Sequence, residues 1–508
     1  MRRYGGWCLA LVLSAGSVAS AKPQGKLVQD VWEAAYLDGG KAGFVHTTVR
    51  QVERDGNKLF RTTMVLELSV KRFNDVARLY METGTDETAH GKVVGVSMKQ
   101  SLGKQQVMVM TGTVEGNELH VKVDGGQRLD KRKPWNEDVV GLYGQLHIFQ
   151  KLRVKPGDRF TYQSFQPELT AVFTTRVRVK DYEDVAVPDS RKKERLLRVE
   201  ASADKIAGFQ PPLMTVWLNE QREPVLTEFT MEGLGKLALQ RTTAEVASGK
   251  NAPATLTDLG TRQLIRLNRR LPGGYNTESA VYRITVQDDS DPSTVFARDS
   301  RQEIKHLKGN TFELHVHGAR QPEAAEKAGK AGARFLKSNY FINSDDDRVR
   351  QHARQAVGSE TDPWKKARRI ARWVHANMEN KNYSEGFATA DHVARTLEGD
   401  CTEHAVLAAA MCRAAGVPSR TAVGLVYAEM PRGQVRGPVM AFHMWTEVWV
   451  DGQWVAIDAT LGNGFVGATH LKIADHSWYD QQDLKPLIPV LRVLGKTKIE
   501  VVSAGREE

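Results

Sequence analysis

Three side chains late in this 508-residue sequence are of the types that together carry out acyl transfer: the thiol of Cys401, the imidazole of His443 and the carboxylate of Asp458. A thiol attacks a carbonyl as its thiolate, an imidazole can take and return the proton near neutral pH, and a carboxylate fixes the imidazole tautomer. The local sequence puts Cys401 where a thiolate is favoured. Gly399-Asp400-Cys401-Thr402-Glu403-His404 opens an apolar run that stops at Gly416 and Pro418. Asp400 followed three residues later by Glu403 is a capping box, so Cys401 is expected at the first helical position, near free N–H groups and the positive end of the helix dipole. Cys412 lies further along the same helix, roughly 16 Å away at ~1.5 Å per residue, out of disulfide reach, and reads as a buried structural thiol.

His443 and Asp458 are brought together by a hairpin. Ala441 to Val450 and Gln453 to Thr460 alternate on either side of Asp451-Gly452, a strong two-residue turn signal. In that register Val450 faces Gln453, Val448 faces Val455 and Thr446 faces Ile457. Trp445 would then face Asp458 and His443 face Thr460, which makes His443 and Asp458 diagonal neighbours on one face, within reach of a hydrogen bond. The chemistry that follows is attack of Cys401 on an amide carbonyl, proton transfer through His443, orientation of the imidazole by Asp458, and a thioester that water or an amine resolves. The backbone N–H of Cys401 is a candidate oxyanion donor, with an indole N–H of Trp373 or Trp445 as the alternative. Both tryptophans read first as core aromatics, and Glu403 and Glu447 as a helix cap and a strand-edge partner.

Metal chemistry is not expected. Cys401 and His404 have C-x-x-H spacing, but Cys412 is three helical turns from Cys401 and cannot share an ion with it. His306, His315 and His317 read as neighbouring exposed strand positions. Asp345, Asp346 and Asp347 after Ser344 read as an N-cap and first-turn charge, since the spacing lacks the glycine and glutamate of a calcium loop.

The remaining elements set the frame. From Leu27 to Val246 short alternating runs are split by turns such as Asp55-Gly56 and Pro156-Gly157-Asp158, a pattern of a β-sandwich or a large twisted antiparallel sheet, with one helical signal near Val139 to Gln150. Residues 248–260 read as a linker and 261–335 as a smaller β unit, with strands at Ser279 to Gln287, Arg301 to His306 and Thr311 to His317. Thr361-Asp362-Pro363 opens a helix whose Trp364, Ala367, Ala371, Val374 and Met378 form one buried face. At 508 residues, two or three domains are expected.

Residues 1–21 read as a signal peptide: Arg2 and Arg3, an apolar Trp7 to Val12, and Ala19-Ser20-Ala21 as the cleavage site. The mature chain then begins at Lys22. Its apolar run is shorter than the ~18 residues that span a bilayer. Loss of Arg2 and Arg3 takes the formal charge from +10 to +8, and the remaining basic residues are scattered. Nucleic acid is therefore not an expected partner, and any pull toward acidic wall polymers or lipid headgroups is a weak electrostatic tendency.

Gly399 to Tyr427 (GDCTEHAVLAAAMCRAAGVPSRTAVGLVY), Phe442 to Thr460 (FHMWTEVWVDGQWVAIDAT) and Thr361 to Met378 (TDPWKKARRIARWVHANM) together resemble the transglutaminase-like superfamily, in particular its exported bacterial members. The resemblance covers about a quarter of the chain, from Tyr340 to Ala474. It implies a papain-like α+β domain, expected over 336–508 behind a β-rich region at 22–247, with a Cys401, His443, Asp458 triad and no cofactor. Peptidases and acyltransferases both occur in that superfamily. The expected protein is thus an exported, periplasmic or extracellular thiol enzyme acting on protein or peptide amides. A glutamine acyltransferase, or a non-catalytic binding module on the same fold, are the alternatives.

Overall fold

The computed structural model describes the chain from Gly25 to Gly505, apart from residues 55, 102–106, 125–128, 189–191, 207, 250–255, 320, 323–328, 379, 381, 384–386, 431–434, 463–465 and 480–484. The expected signal peptide lies outside the described residues, as does 250–255 of the expected linker.

The N-terminal region is one sheet rather than a sandwich. Fourteen antiparallel strands run from Lys26–Leu37 to Gly235–Thr242 in the spatial order 8-7-6-5-4-3-2-1-14-13-12-11-10-9. The meander returns on itself, so its first and last strands pair, Trp32 opposite Thr242 and Leu37 opposite Leu237. The two outermost strands, Leu129–Pro134 and Arg159–Gln166, are linked by the segment between them, where Val139 bridges Gln163 and Val140 bridges Lys92. The helix Leu142–Lys151 follows, close to where the sequence signal fell. Its first amides have no side-chain cap of their own and are taken by the sheet: Glu87 accepts from Tyr143 and Gly144 at 2.8 and 3.0 Å, and Thr85 accepts from Leu142 at 3.0 Å.

The C-terminal part is α+β. Helices Asp347–Val357, Pro363–Asn377 and Ala390–Thr396 surround the helix Cys401–Ala414, which also packs on the strand Gly437–Val450. That helix is apolar on every side, and Glu403 through Arg413 are all buried. Strand Gly437–Val450 pairs along its length with Ser419–Met430, which in turn pairs with His470–His476. On its other edge it pairs with Ile265–Arg266 near its start and Gln453–Ile457 near its end. The cap of the first helix is Asp346, within the acidic run expected to supply it: its Oδ1 accepts from the amides of Arg348 and Val349, and Asp347 stands in the first turn.

The three longer strands of the 261–335 segment form a third sheet with the chain's last strand, in the order Gln302–Lys308, Thr311–His317, Ser279–Val286, Thr497–Gly505. Its last member comes from the end of the chain. Tyr282, Ile284, Leu314 and Val316 share a buried cluster with Leu425, Leu471, Ile499 and Val501. This sheet therefore packs with the C-terminal part.

Candidate active site

Asp400 caps the Cys401–Ala414 helix, with Oδ1 accepting from the Thr402 amide at 2.9 Å. Glu403 reaches back to the Asp400 N–H at 2.9 Å and also accepts from the Ala388 amide at 3.1 Å, so the capping box is complete. Cys401 is the first helical residue and stays partly exposed, whereas Cys412 is fully buried and burial pushes its thiol up to about 12.

The hairpin has the register expected from its turn. Asp451 and Gly452 both take positive φ, 50° and 83°, and Val450 faces Gln453, Val448 faces Val455 and Thr446 faces Ile457. The second strand stops at Ile457, three residues short of the expected end. The reason is Asp458 itself: its Oδ1 accepts from the amides of Thr460 and Leu461 at 2.7 and 3.2 Å and turns the chain out of the ladder. That turn leaves Oδ2 free to meet His443 Nε2 at 2.7 Å. The other imidazole nitrogen, Nδ1, is then the one that meets the Cys401 thiol, and the Met444 amide also points to that sulfur.

The charges are strongly coupled. Burial opposes a charge on His443, but Asp458 and then Cys401 overcome it and raise the imidazole to about 10. Asp458 is held well below the ordinary carboxylate range by His443 and His470, against its own burial. Cys401 departs from the expected thiolate preference. Burial and the neighbouring Asp400 carboxylate push its thiol above the ordinary range, and the pull of His443 offsets this only in part.

His470 was missed by sequence reasoning. Its Nε2 donates to the same Asp458 oxygen at 3.0 Å, and burial drives its pKa down to about 4, so at neutral pH it is a neutral donor. No spacing rule could reveal it, because it reaches Asp458 only through the pairing of His470–His476 with Ser419–Met430.

Of the other candidates, only Trp445 borders the site: it is buried with Ala422, Ala456 and Val466, and its ring lies edge-on to His470 at 5.3 Å and 6.3 Å from that of His443. Trp373 lies against His352 with ring centroids 4.5 Å apart, as a core aromatic does. Glu447 bonds Arg420 and Lys472 in a buried charge network. His404 turns back to the Asp400 carbonyl at 2.7 Å, away from any site shared with Cys401.

Among the described residues, two groups bring potential metal-ligand atoms within 4.8 Å of one another: His443, Asp458 and His470, and His306, Glu313 and His315. In the first, both imidazoles already bond one carboxylate oxygen, a hydrogen-bonded arrangement. In the second, Glu313 is paired with Arg283 at 3.1 Å.

Residues 350–459 match the family model of the transglutaminase-like superfamily. A curated protein of Haemophilus influenzae, itself described only as uncharacterized, is 34% identical over 95 residues, which are 18% of this chain and 26% of that protein. The chain thus spans about a quarter of the length of that relative. Among solved structures, a β-barrel-like protein of unknown function from Brucella abortus is similar at 12% identity, over 42% of this chain and 95% of that one, with a TM-score of 0.31. The periplasmic domain of TgpA from Pseudomonas aeruginosa is similar at 15% identity, over 37% and 91%, with a TM-score of 0.23. Neither score is high enough to argue from. The family match covers the Cys401–Ala414 helix and the hairpin, and residues 350–459 of this chain are a transglutaminase-like domain.

Proposed function

We propose that this protein is an extracytoplasmic thiol enzyme that hydrolyses amide bonds of protein or peptide substrates through Cys401, His443 and Asp458. The observation that carries the reading is the chain of contacts from the Cys401 thiol to His443 and from His443 Nε2 to Asp458 Oδ2 at 2.7 Å. Export is supported by the Arg2 to Ala21 pattern, and no helix among the described residues is long and apolar enough to cross a membrane.

With Asp458 holding His443 protonated and the thiol raised, the resting pair carries two protons. Loss of one gives the competent form, in which thiol and imidazole share the remaining proton. The sulfur then attacks the carbonyl carbon. The tetrahedral intermediate collapses to a thioester as His443 protonates the departing amine, and water, deprotonated by His443, releases the acid and restores the thiol. Trp445 is only 1% exposed and does not line an open amine channel, which supports water over an amine as acceptor. The partial exposure of Cys401 supports a reacting thiol over a purely structural scaffold.

The test is iodoacetamide labelling of the mature protein from about pH 6 to 9, read by peptide mass spectrometry for both cysteines. Cys401 should react far faster than Cys412, and His443→Ala should slow Cys401 by about tenfold or more. Equal, slow labelling of the two thiols in both proteins would overturn the reading. Peptide amides incubated with and without added amine then separate hydrolysis from transfer.

A further inference from the structure

The N-terminal sheet reaches the cap of the nucleophile helix. Its strands Asn57–Arg72 and Asp75–Thr88 are joined by a tight turn, and Phe73 in that turn has φ of +56°, a conformation that costs free energy for a bulky side chain. The turn is held from two sides. The Phe73 amide donates to Asp258 Oδ1 at 3.0 Å, and the Lys71 amide donates to the Thr257 carbonyl at 3.1 Å. On the far side it grips Tyr383: Asp75 Oδ2 accepts from the Tyr383 amide at 2.9 Å, Arg72 Nη1 donates to its carbonyl at 3.2 Å, and the Phe73 ring meets its ring at 5.1 Å. The end of this arrangement is an ion pair between Arg72 Nη2 and Asp400 Oδ2 at 2.8 Å, with Asp400 only 4% exposed.

Asp400 carries two duties that conflict. It caps the helix that presents Cys401, and its negative charge stands beside a sulfur that must itself become negative. A buried carboxylate without a partner would serve the first at the expense of the second. We propose that Arg72 is a positioning residue of the Cys401 site: supplied by the N-terminal sheet, it fixes Asp400 as the helix cap and offsets the carboxylate charge next to the nucleophile. This rests on the reading of Cys401 as the nucleophile. It gives the N-terminal region a role in the chemistry without any contact between Arg72 and the substrate.

The groups that share the thiol's surroundings are Asp400 and Glu403 on its own helix, His443 on the hairpin, and Tyr383 beneath the turn, with Arg72 and Asp75 behind them. Tyr383 itself feels the charge of both Asp400 and Cys401, which puts all of these groups within electrostatic reach of one another. Arg72 is the cation that the turn brings into this set. Removing it leaves Asp400 unopposed, so Cys401 should give up its proton at higher pH.

The experiment is the rate of Cys401 alkylation against pH in the full mature chain, for wild type, Arg72→Met, Arg72→Lys, Asp400→Asn and the Arg72→Met, Asp400→Asn double variant. Asparagine keeps the capping oxygen while removing the charge. Arg72→Met should move the profile upward by about half a pH unit or more, about threefold in rate on the rising limb. Arg72→Lys should recover part of the shift, and the double variant should return to or below the wild-type position. Arg61→Met, which breaks the ion pair of Arg61 with Asp86 in the same sheet, should leave the profile unchanged. Superimposed profiles for wild type and Arg72→Met would overturn the proposal, as would a shift that Asp400→Asn fails to reverse, since that would mark a distorted site. Buried Cys412 reports folding in each sample, because its rapid labelling marks an opened domain. Failure of the enzyme reading is seen separately, as Cys401 labelling that ignores His443→Ala.

Discussion

Glu403 illustrates how a single side chain at this site serves structure at a cost that pH reveals. It closes the capping box from a fully buried position, and burial together with the Asp400 charge raises its pKa from 4.5 to about 8. The folded state therefore binds a proton that the unfolded chain releases between those values, so stability falls as pH rises through that window. Glu403→Gln removes the titration and keeps one of the two acceptor oxygens that take the Asp400 and Ala388 amides, a loss that does not vary with pH. The gap in melting temperature between wild type and Glu403→Gln should move against the wild type from about pH 5 to 9. A constant gap across that range would mean that Glu403 is not the source. His443 contributes a fall of the same sign in both proteins and cancels in the comparison. At this scale Cys401, His443 and Asp458 were readable because each lies beside a strong local signal, a capping box or an Asp-Gly turn. His470 and Arg72 have no such neighbour, and only tertiary pairing brings them in.

Elements were legible where local chemistry dictates them and obscure where it does not. The hairpin register followed from Asp451-Gly452, and the nucleophile helix from Asp400 and Glu403. Strand Asp75–Thr88 is obscure in the sequence because its burial does not alternate, with partly covered residues on both faces. Two glycines show the difference in how firmly such signals act. Gly452 has φ of +83°, whereas Gly399 has φ of +134° and an added Cβ would lie 2.5 Å from Glu403 Cγ. Gly452→Ala should cost about 1 kcal/mol, the ordinary penalty for an alanine in that backbone region. Gly399→Ala should cost clearly more, because it adds a clash with the capping box to the same strain. Urea denaturation of the two variants checks the order, and equal losses would show that the cap gives way freely.

At the scale of the whole molecule, the sequence reads as a β-rich region, a linker, a small β segment and a transglutaminase-like domain, and the structure bears on how these cooperate. Periodicity exposes strands but not their partners, so nothing in 261–335 announces that its sheet is finished by Thr497–Gly505. Ile499 and Val501 of that last strand are 1% and 3% exposed and pair with Ile284 and Tyr282, which belong to the same cluster as Leu425 and Leu471 of the second sheet. We propose that 261–335 and 336–508 fold as one cooperative unit. Ending the chain at Lys496 would then uncover apolar surface on both sides of that cluster, at ~25 cal/mol per Å². The expected result is that Cys412, fully buried in the intact chain, becomes as reactive toward iodoacetamide as Cys401, and that Cys401 loses its dependence on His443. If the small sheet were instead an independent module, the shortened chain would keep Cys412 protected and Cys401 coupled to His443, and the unit would have to be divided at about residue 335.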